Sequence, residues 1–119
     1  MNDLLPEGEN SVVRGRGTIV PLSPVPADEV DAGQPRQGLR ALGHLDGCET
    51  GIWELRDGAV FDTEDDEIFV VISGGATIEL LDEGRSLEVT TGDVMRLTAG
   101  TRTRWVVRDH IRKVYLSAR

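Results

Sequence analysis

Asp62, Glu64, Asp66 and Glu67 place four carboxyl groups within six residues, at the start of the apolar run Ile68, Phe69, Val70, Val71, Ile72. Oxygen ligands at such spacing suit a hard cation such as calcium or magnesium. The glycine of a calcium loop is missing, however, and a solvated acidic face at the mouth of a strand is the plainer reading. Glu67 stands apart because strand alternation puts it on one face with Phe69 and Val71. A carboxylate on the inner face of an apolar strand must find a partner or take up a proton. Pairing with Lys113, Tyr115 or a threonine hydroxyl meets the first condition; a raised pKa suited to acid–base work meets the second.

The other reactive residue types offer less. His44 and His110 are the only histidines. His110 follows Asp109 in what reads as an exposed turn, and His44 ends an early strand and can face either way. Neither has an evident third partner, so both read as surface or structural residues. Cys48 lies in the turn-like Gly47-Cys48-Glu49 with no activating base. As the one cysteine it excludes an intrachain disulfide, and nothing indicates an oxidising compartment. No glycine-rich phosphate loop joins a strand to a helix, which argues against nucleotide chemistry.

The elements that must position these groups are nearly all β. A chain of 119 residues, 39% apolar and of formal charge -8, is one ordinary globular domain. Residues 1–95 hold 6 basic and 20 acidic side chains, whereas residues 96–119 hold 7 basic and 1 acidic. Such asymmetry predicts attraction between the two parts of the fold rather than nucleic-acid binding, since an acidic protein is repelled by phosphate. No apolar run has membrane-spanning length, and the N-terminus lacks the basic start and apolar core of a signal peptide, so the cytoplasm is the expected location.

Residues 1–17 read as a flexible N-terminal arm. Residues 18–37 read as an edge strand near Thr18-Ile19-Val20-Pro21-Leu22 and a proline-containing connection, because Pro21, Pro24 and Pro26 cannot donate to a central ladder. Residues 38–119 then show short alternating segments. Turn signals sit at Asp46-Gly47, Asp57-Gly58, Gly74-Gly75, Asp82-Glu83-Gly84, Thr91-Gly92-Asp93, Ala99-Gly100 and Asp109-His110, predicting eight to ten short strands of a sandwich or barrel. The strands beginning at Asp66 and Gly92 are expected to face one another across it.

These residues resemble the cupin superfamily, whose fold is a small jelly-roll barrel. Gly92 and Gly100 fall on the glycines of its second motif, with Thr98 for the proline, Thr103 for the histidine and Val107 for the asparagine. Glu67 and Gly74 fit the metal-binding glutamate and following glycine of the first motif; its two histidines fall on Phe61 and Thr63. Over residues 38–117 the chain is similar to the small cupins related to ureidoglycine aminohydrolase and to the ethanolamine-utilisation cupin. Gly51-Ile52-Trp53-Glu54, Asp66-Glu67-Ile68-Phe69, Trp105-Val106-Val107 and Arg112-Lys113-Val114-Tyr115 carry that likeness.

The resemblance implies an all-β, single-domain jelly-roll barrel with an extended N-terminal arm. Phenylalanine cannot ligate a metal and a threonine hydroxyl is a poor ligand, so no tight transition-metal site and no cofactor are predicted; manganese or another divalent cation is the ion the resemblance implies if one is present. Trp53, Phe61, Thr63, Glu67, Phe69, Thr103, Trp105, Lys113 and Tyr115 are expected to line a pocket for a small organic metabolite. Alternatively Trp53, Phe61, Phe69 and Trp105 simply fill the barrel. Three functions follow: a metabolite-binding module, an aminohydrolase-like enzyme with Glu67 as acid–base and Lys113 or Tyr115 in electrostatic support, or a structural homodimer. Arg102, Arg104 and Arg108 are expected to point outward, offsetting the acidic half or meeting a partner subunit.

Overall fold

The computed structural model describes residues 3–118; residues 1 and 2 of the expected arm and residue 119 of the expected barrel lie outside them. Seven strands run in the order β1 (Ser23–Pro24), β2 (Val30–Leu45), β3 (Cys48–Thr63), β4 (Asp66–Leu80), β5 (Arg85–Thr90), β6 (Val94–Leu97) and β7 (Arg102–Ala118), with one turn of 3₁₀ helix at Ala27–Glu29 between the first two. All pairings are antiparallel, in the order β1-β2-β3-β7-β4-β5, and β6 pairs with β4. The result is the jelly-roll β architecture. Its core is built from the inward faces of β3, β4 and β7, including Leu55, Phe69, Ile78, Trp105 and Ile111, each almost fully buried.

Four of the seven strands are 15–17 residues long, which replaces the expected eight to ten short ones. Three signals read as turns are instead irregularities inside long bent strands. Asp57-Gly58 lies within β3, Gly74-Gly75 within β4 and Asp109-His110 within β7, each at a register shift. An extra residue on one strand bends and twists it without ending it, so a glycine can mark a bulge as readily as a turn. Asp46-Gly47 is a true two-residue hairpin turn, with positive φ at both residues (49° and 82°).

A second difference concerns neighbours. The strand of Glu67 does not face the strands of Gly92 and Thr103 across the barrel; β4 is hydrogen-bonded to β6 on one side and to β7 on the other, pairing Glu67 with Leu97 and with Ser117.

The segment expected to be a loose arm lies on the outer face of the sheet. Leu5 donates its backbone N–H to Leu42 O at 2.7 Å, and Leu4, Leu5, Val13 and Leu22 pack around Val20, Leu42 and Ile52. Arg112 Nη1 donates to Gly15 O and Thr18 O at 2.8 and 2.6 Å. The first strand, β1, is a two-residue edge strand at Ser23–Pro24 and pairs with Gln37 and Arg36.

Candidate functional site

The register of β3 against β7 sets the site. Trp53 opposes Lys113 and Leu55 opposes Ile111; beyond the shift between Arg56 and Gly58, Val60 opposes Trp105 and Asp62 opposes Thr103. Directly paired residues share a face of the sheet, and Lys113, Ile111, Trp105 and Thr103 are all buried. The inward residues of β3 are therefore odd-numbered before the bulge and even-numbered after it. A one-residue slip sends every following side chain to the opposite face.

That inversion takes one expected pocket residue, Phe61, out of the cleft and leaves another, Thr63, at its rim. Phe61 opposes Arg104, is 40% exposed and borders a separate surface depression with Asp28, Glu29 and Thr103. Thr63 stands at the rim of the main cleft, opposite Arg102 on the outer side. In place of Phe61 the register shift turns Asp62 toward the rim of the cleft, with the buried Glu64 just beyond the strand end. Motif spacing before Glu67 put Phe61 and Thr63 in the pocket, and the acids were expected to form a solvated face at the mouth of a strand; the one signal of the inversion was Asp57-Gly58, which reads as a turn.

Glu64 is 7% exposed. Its Oε2 accepts hydrogen bonds from Thr103 Oγ1 at 2.6 Å and Trp105 Nε1 at 2.9 Å. Its backbone is pinned as well, the N–H donating to Thr101 O and the carbonyl accepting from Gly100 N–H, both at 2.8 Å. Thr103 thus serves the site by holding Glu64.

Lys113 lies at the floor, 5% exposed. Its Nζ donates to Glu67 Oε2 at 2.5 Å and stands 4.4–4.9 Å from the ring centroids of Phe69, Trp53 and Trp105. Trp105 in turn packs at 5.2 Å on Trp53 and 5.8 Å on Phe69. A lysine can be buried this deeply because its charge meets a carboxylate and three π faces, each worth about 0.5–2 kcal/mol. The aromatic residues both fill the barrel and house the ammonium. Burial pushes the Glu67 carboxyl up, the Lys113 charge and hydrogen bond pull it down, and Glu64 and Asp65 add to the rise, leaving it raised. Asp62 is pushed up to about 6 by burial and by Glu64, against the opposing pull of the Thr63 N–H and Lys113.

Tyr115 completes the wall. Its hydroxyl donates to Glu49 Oε1 at 3.0 Å, and its ring covers Gly51, where a Cβ would lie 2.6 Å from the hydroxyl oxygen. The resulting cleft has a volume of about 140 Å³ and is bordered chiefly by Trp53, Asp62, Glu67, Trp105, Lys113 and Tyr115. Of the nine expected residues, Trp53, Thr63, Glu67, Trp105, Lys113 and Tyr115 border it. Phe69 lies beneath Lys113, Thr103 behind Glu64, and Phe61 outside. Sequence reasoning missed Asp62, Glu64 and Asp65 as pocket residues, together with Leu39 and Ser117, which also line the cleft.

The residues at this position do not fit a cupin transition metal. No imidazole borders the cleft; Glu67 is engaged by Lys113 and Glu64 by Thr103 and Trp105. Among the described residues no three His, Cys, Asp or Glu side chains form a metal-holding group. His44 lies elsewhere, its side chain 54% exposed and 4.0 Å from Asp3.

Residues 42–115 match the model of the EutQ-like cupin domain. The fold is similar to that of the Clostridium difficile EutQ protein, at 22% identity over 81% of this chain and 79% of that one, with a TM-score of 0.63. It is also similar to a putative ethanolamine utilization protein Q from Salmonella typhimurium LT2 (17% identity, 80% and 77% covered, TM-score 0.60). A protein of unknown function from Pseudomonas syringae pv. tomato gives 22% identity and a TM-score of 0.71 over 85% of this chain and 45% of that one. At these identities the likeness establishes the fold alone. Among curated proteins there is no match.

Proposed function

Since the chain belongs to the EutQ-like cupin family, we propose that it binds a small organic metabolite in the barrel cleft, in the cytoplasm and without the usual cupin metal. The observation that carries this reading is the Lys113–Glu67 pair, which puts a tethered ammonium against the carboxylate that the family resemblance assigns to a metal. Lys113 engages Glu67 Oε2, and a carboxylate keeps acceptor capacity on its other oxygen, in a cleft that Trp53, Trp105 and Tyr115 also line. Asp62, Asp65 and Glu67 outnumber the single cation at the cleft, so an anionic ligand is disfavoured and a ligand bringing N–H donors is favoured. The volume is below the roughly 300 Å³ at which drug-sized pockets begin, so the ligand is small.

Thermal-shift screening of small amines, ureido compounds and carboxylates tests the proposal. The nitrogen donors are expected to raise the melting temperature of the wild type, with the shift reduced at least tenfold in concentration dependence in Glu67→Gln, while carboxylates do nothing. Stabilisation by carboxylates alone, or an undiminished shift in the variant, overturns it.

The raised Glu67 carboxyl beside a fixed cation supports a second reading, an aminohydrolase-like enzyme releasing ammonia from a small ureido or amino acid. Ammonia release that disappears in Glu67→Gln would favour this reading. Stoichiometric manganese in the purified protein would favour it over the metal-free binding module.

A further inference from the structure

Ser73, His110 and Asp109 meet on the opposite flank of the β4–β7 pair from the cleft floor, in a constellation that neither proposed reading uses. Ser73 Oγ lies 2.5 Å from His110 Nε2, and His110 Nδ1 lies 2.5 Å from Asp109 Oδ2. A carboxylate only accepts, so Asp109 places the ring proton on Nδ1 and leaves Nε2 to accept from the Ser73 hydroxyl. That is the tautomer in which a histidine can take a proton from a serine.

Three irregularities build the arrangement. Lys113 pairs with Val71 but Arg112 with Ser73, an extra residue in β4 that swings Ser73 out of the alternation. Arg56 pairs with His110 but Gly58 with Val107, an extra residue in β7 that lets the sequence neighbours Asp109 and His110 meet. Gly74, at φ 71°, has the His110 carbonyl oxygen 1.9 Å from where a Cβ would stand. Any side chain there would drive His110 away from Ser73. His110, Asp109 and Arg108 border an open cleft of about 680 Å³ together with Gly74, Gly75 and Ala76; Ser73 is half-buried beside it and outside its lining. Arg108 is exposed, a cation available to a developing oxyanion.

We propose that Ser73, His110 and Asp109 form a second site that hydrolyses carboxylic esters of short acyl chains, the half-burial of Ser73 limiting the acyl group. Ser73 Oγ bonds to the carbonyl carbon while its proton passes to His110 Nε2. The bond to the leaving oxygen breaks, and that oxygen takes the proton and departs as an alcohol. Water then attacks the acyl-serine with His110 as base, releasing the carboxylic acid and restoring Ser73. Asp109 has an 83% exposed side chain, so it orients the ring without shielding it. The expected acceleration is therefore at the low end for general-base catalysis, about 10²-fold.

The test uses p-nitrophenyl acetate and a fluorophosphonate probe on the full chain. Wild type is expected to release p-nitrophenol above the buffer rate and to carry the phosphonyl adduct on Ser73 by peptide mass spectrometry; Ser73→Ala and His110→Asn are each expected to lose about 10²-fold, with Asp109→Asn losing less. Unchanged hydrolysis in a folded Ser73→Ala, or no adduct on Ser73, overturns the proposal. Should Ser73→Ala fail to fold, the position of the adduct on the wild type decides alone. Loss of binding in the barrel would leave this result untouched, so the two proposals fail separately.

Discussion

At the scale of single residues, the cleft is a balance between one buried cation and several carboxyl groups at unequal depth. Glu64 has its donors supplied by Thr103 and Trp105, and Glu67 has Lys113. Asp62 has only the adjacent Thr63 N–H, and the field of Glu64 adds to its desolvation. Its surface is open at the rim even though protein crowds the carboxyl, so solvent screens part of the effect. With its folded-state pKa near 6 and above the unfolded value, Asp62 favours the fold while protonated. That contribution is lost as the pH rises through 6. Asp62→Asn is therefore expected to match the wild type near pH 4 and to be the more stable of the two at pH 8. The gain is on the order of 1 kcal/mol, against roughly 3 kcal/mol for an unscreened shift of that size. Paired thermal melts across this range check it, and a variant equally stable or weaker at pH 8 contradicts the assignment.

At the scale of elements, long strands bent by bulges do the positioning. β3 presents Trp53 and Leu55 inward before the register shift at Asp57 and Val60 and Asp62 after it. β7 presents Thr103, Trp105 and Val107 inward on one side of its irregularity and Ile111, Lys113 and Tyr115 on the other, all odd-numbered, with the exposed Asp109 between them. Where β3 meets β7 at Gly51 and Tyr115, the missing side chain lets the tyrosine ring lie over the backbone, the sheet's way of covering an interior glycine. Gly51→Ala would put a methyl carbon 2.6 Å from the hydroxyl oxygen and 2.9 Å or less from two ring carbons. The ring must swing, lose its bond to Glu49 and open the cleft wall. The expected cost is about 1–3 kcal/mol, typical of overpacking, read from urea unfolding; unchanged stability would show that Tyr115 has room to move. The inward set of β7 was legible in the sequence because it depended on parity alone. That of β3 was not, because Asp57-Gly58 is compatible with a turn or a bulge and only the partner strand selects between them.

At the scale of the whole molecule, the lopsided charge is resolved within the fold. Arg102 pairs with Asp82, Arg104 with Asp31 and Glu79, and Arg112 with Glu54. Burial opposes ionisation of Glu54, but hydrogen bonds from Arg56 and Arg112 outweigh it and hold the carboxyl below its ordinary value. Because Arg112 also grips the N-terminal segment, one cation ties arm, β3 and β7 together.

The homodimer expected from the sequence remains a proposal. Ile68, Val94 and Leu116 are 42%, 68% and 38% exposed on the adjacent strands β4, β6 and β7, an apolar face suited to a second copy of the same chain. Light scattering at micromolar concentration is expected to give twice the chain mass, and the monomer mass for Ile68→Glu. A wild-type monomer overturns the idea.

The order of residues was enough to determine a nearly all-β chain of cupin type, an inward Glu67, and a β7 face carrying Thr103, Trp105, Lys113 and Tyr115, because composition and strict alternation are local properties. The inward turn of Asp62, the burial of Glu64 beneath Thr103 and Trp105, and the meeting of Ser73 with His110 were decided only in three dimensions. Each depends on where an extra residue is absorbed in a ladder, and that position is chosen by cross-strand hydrogen bonding between segments distant in the chain.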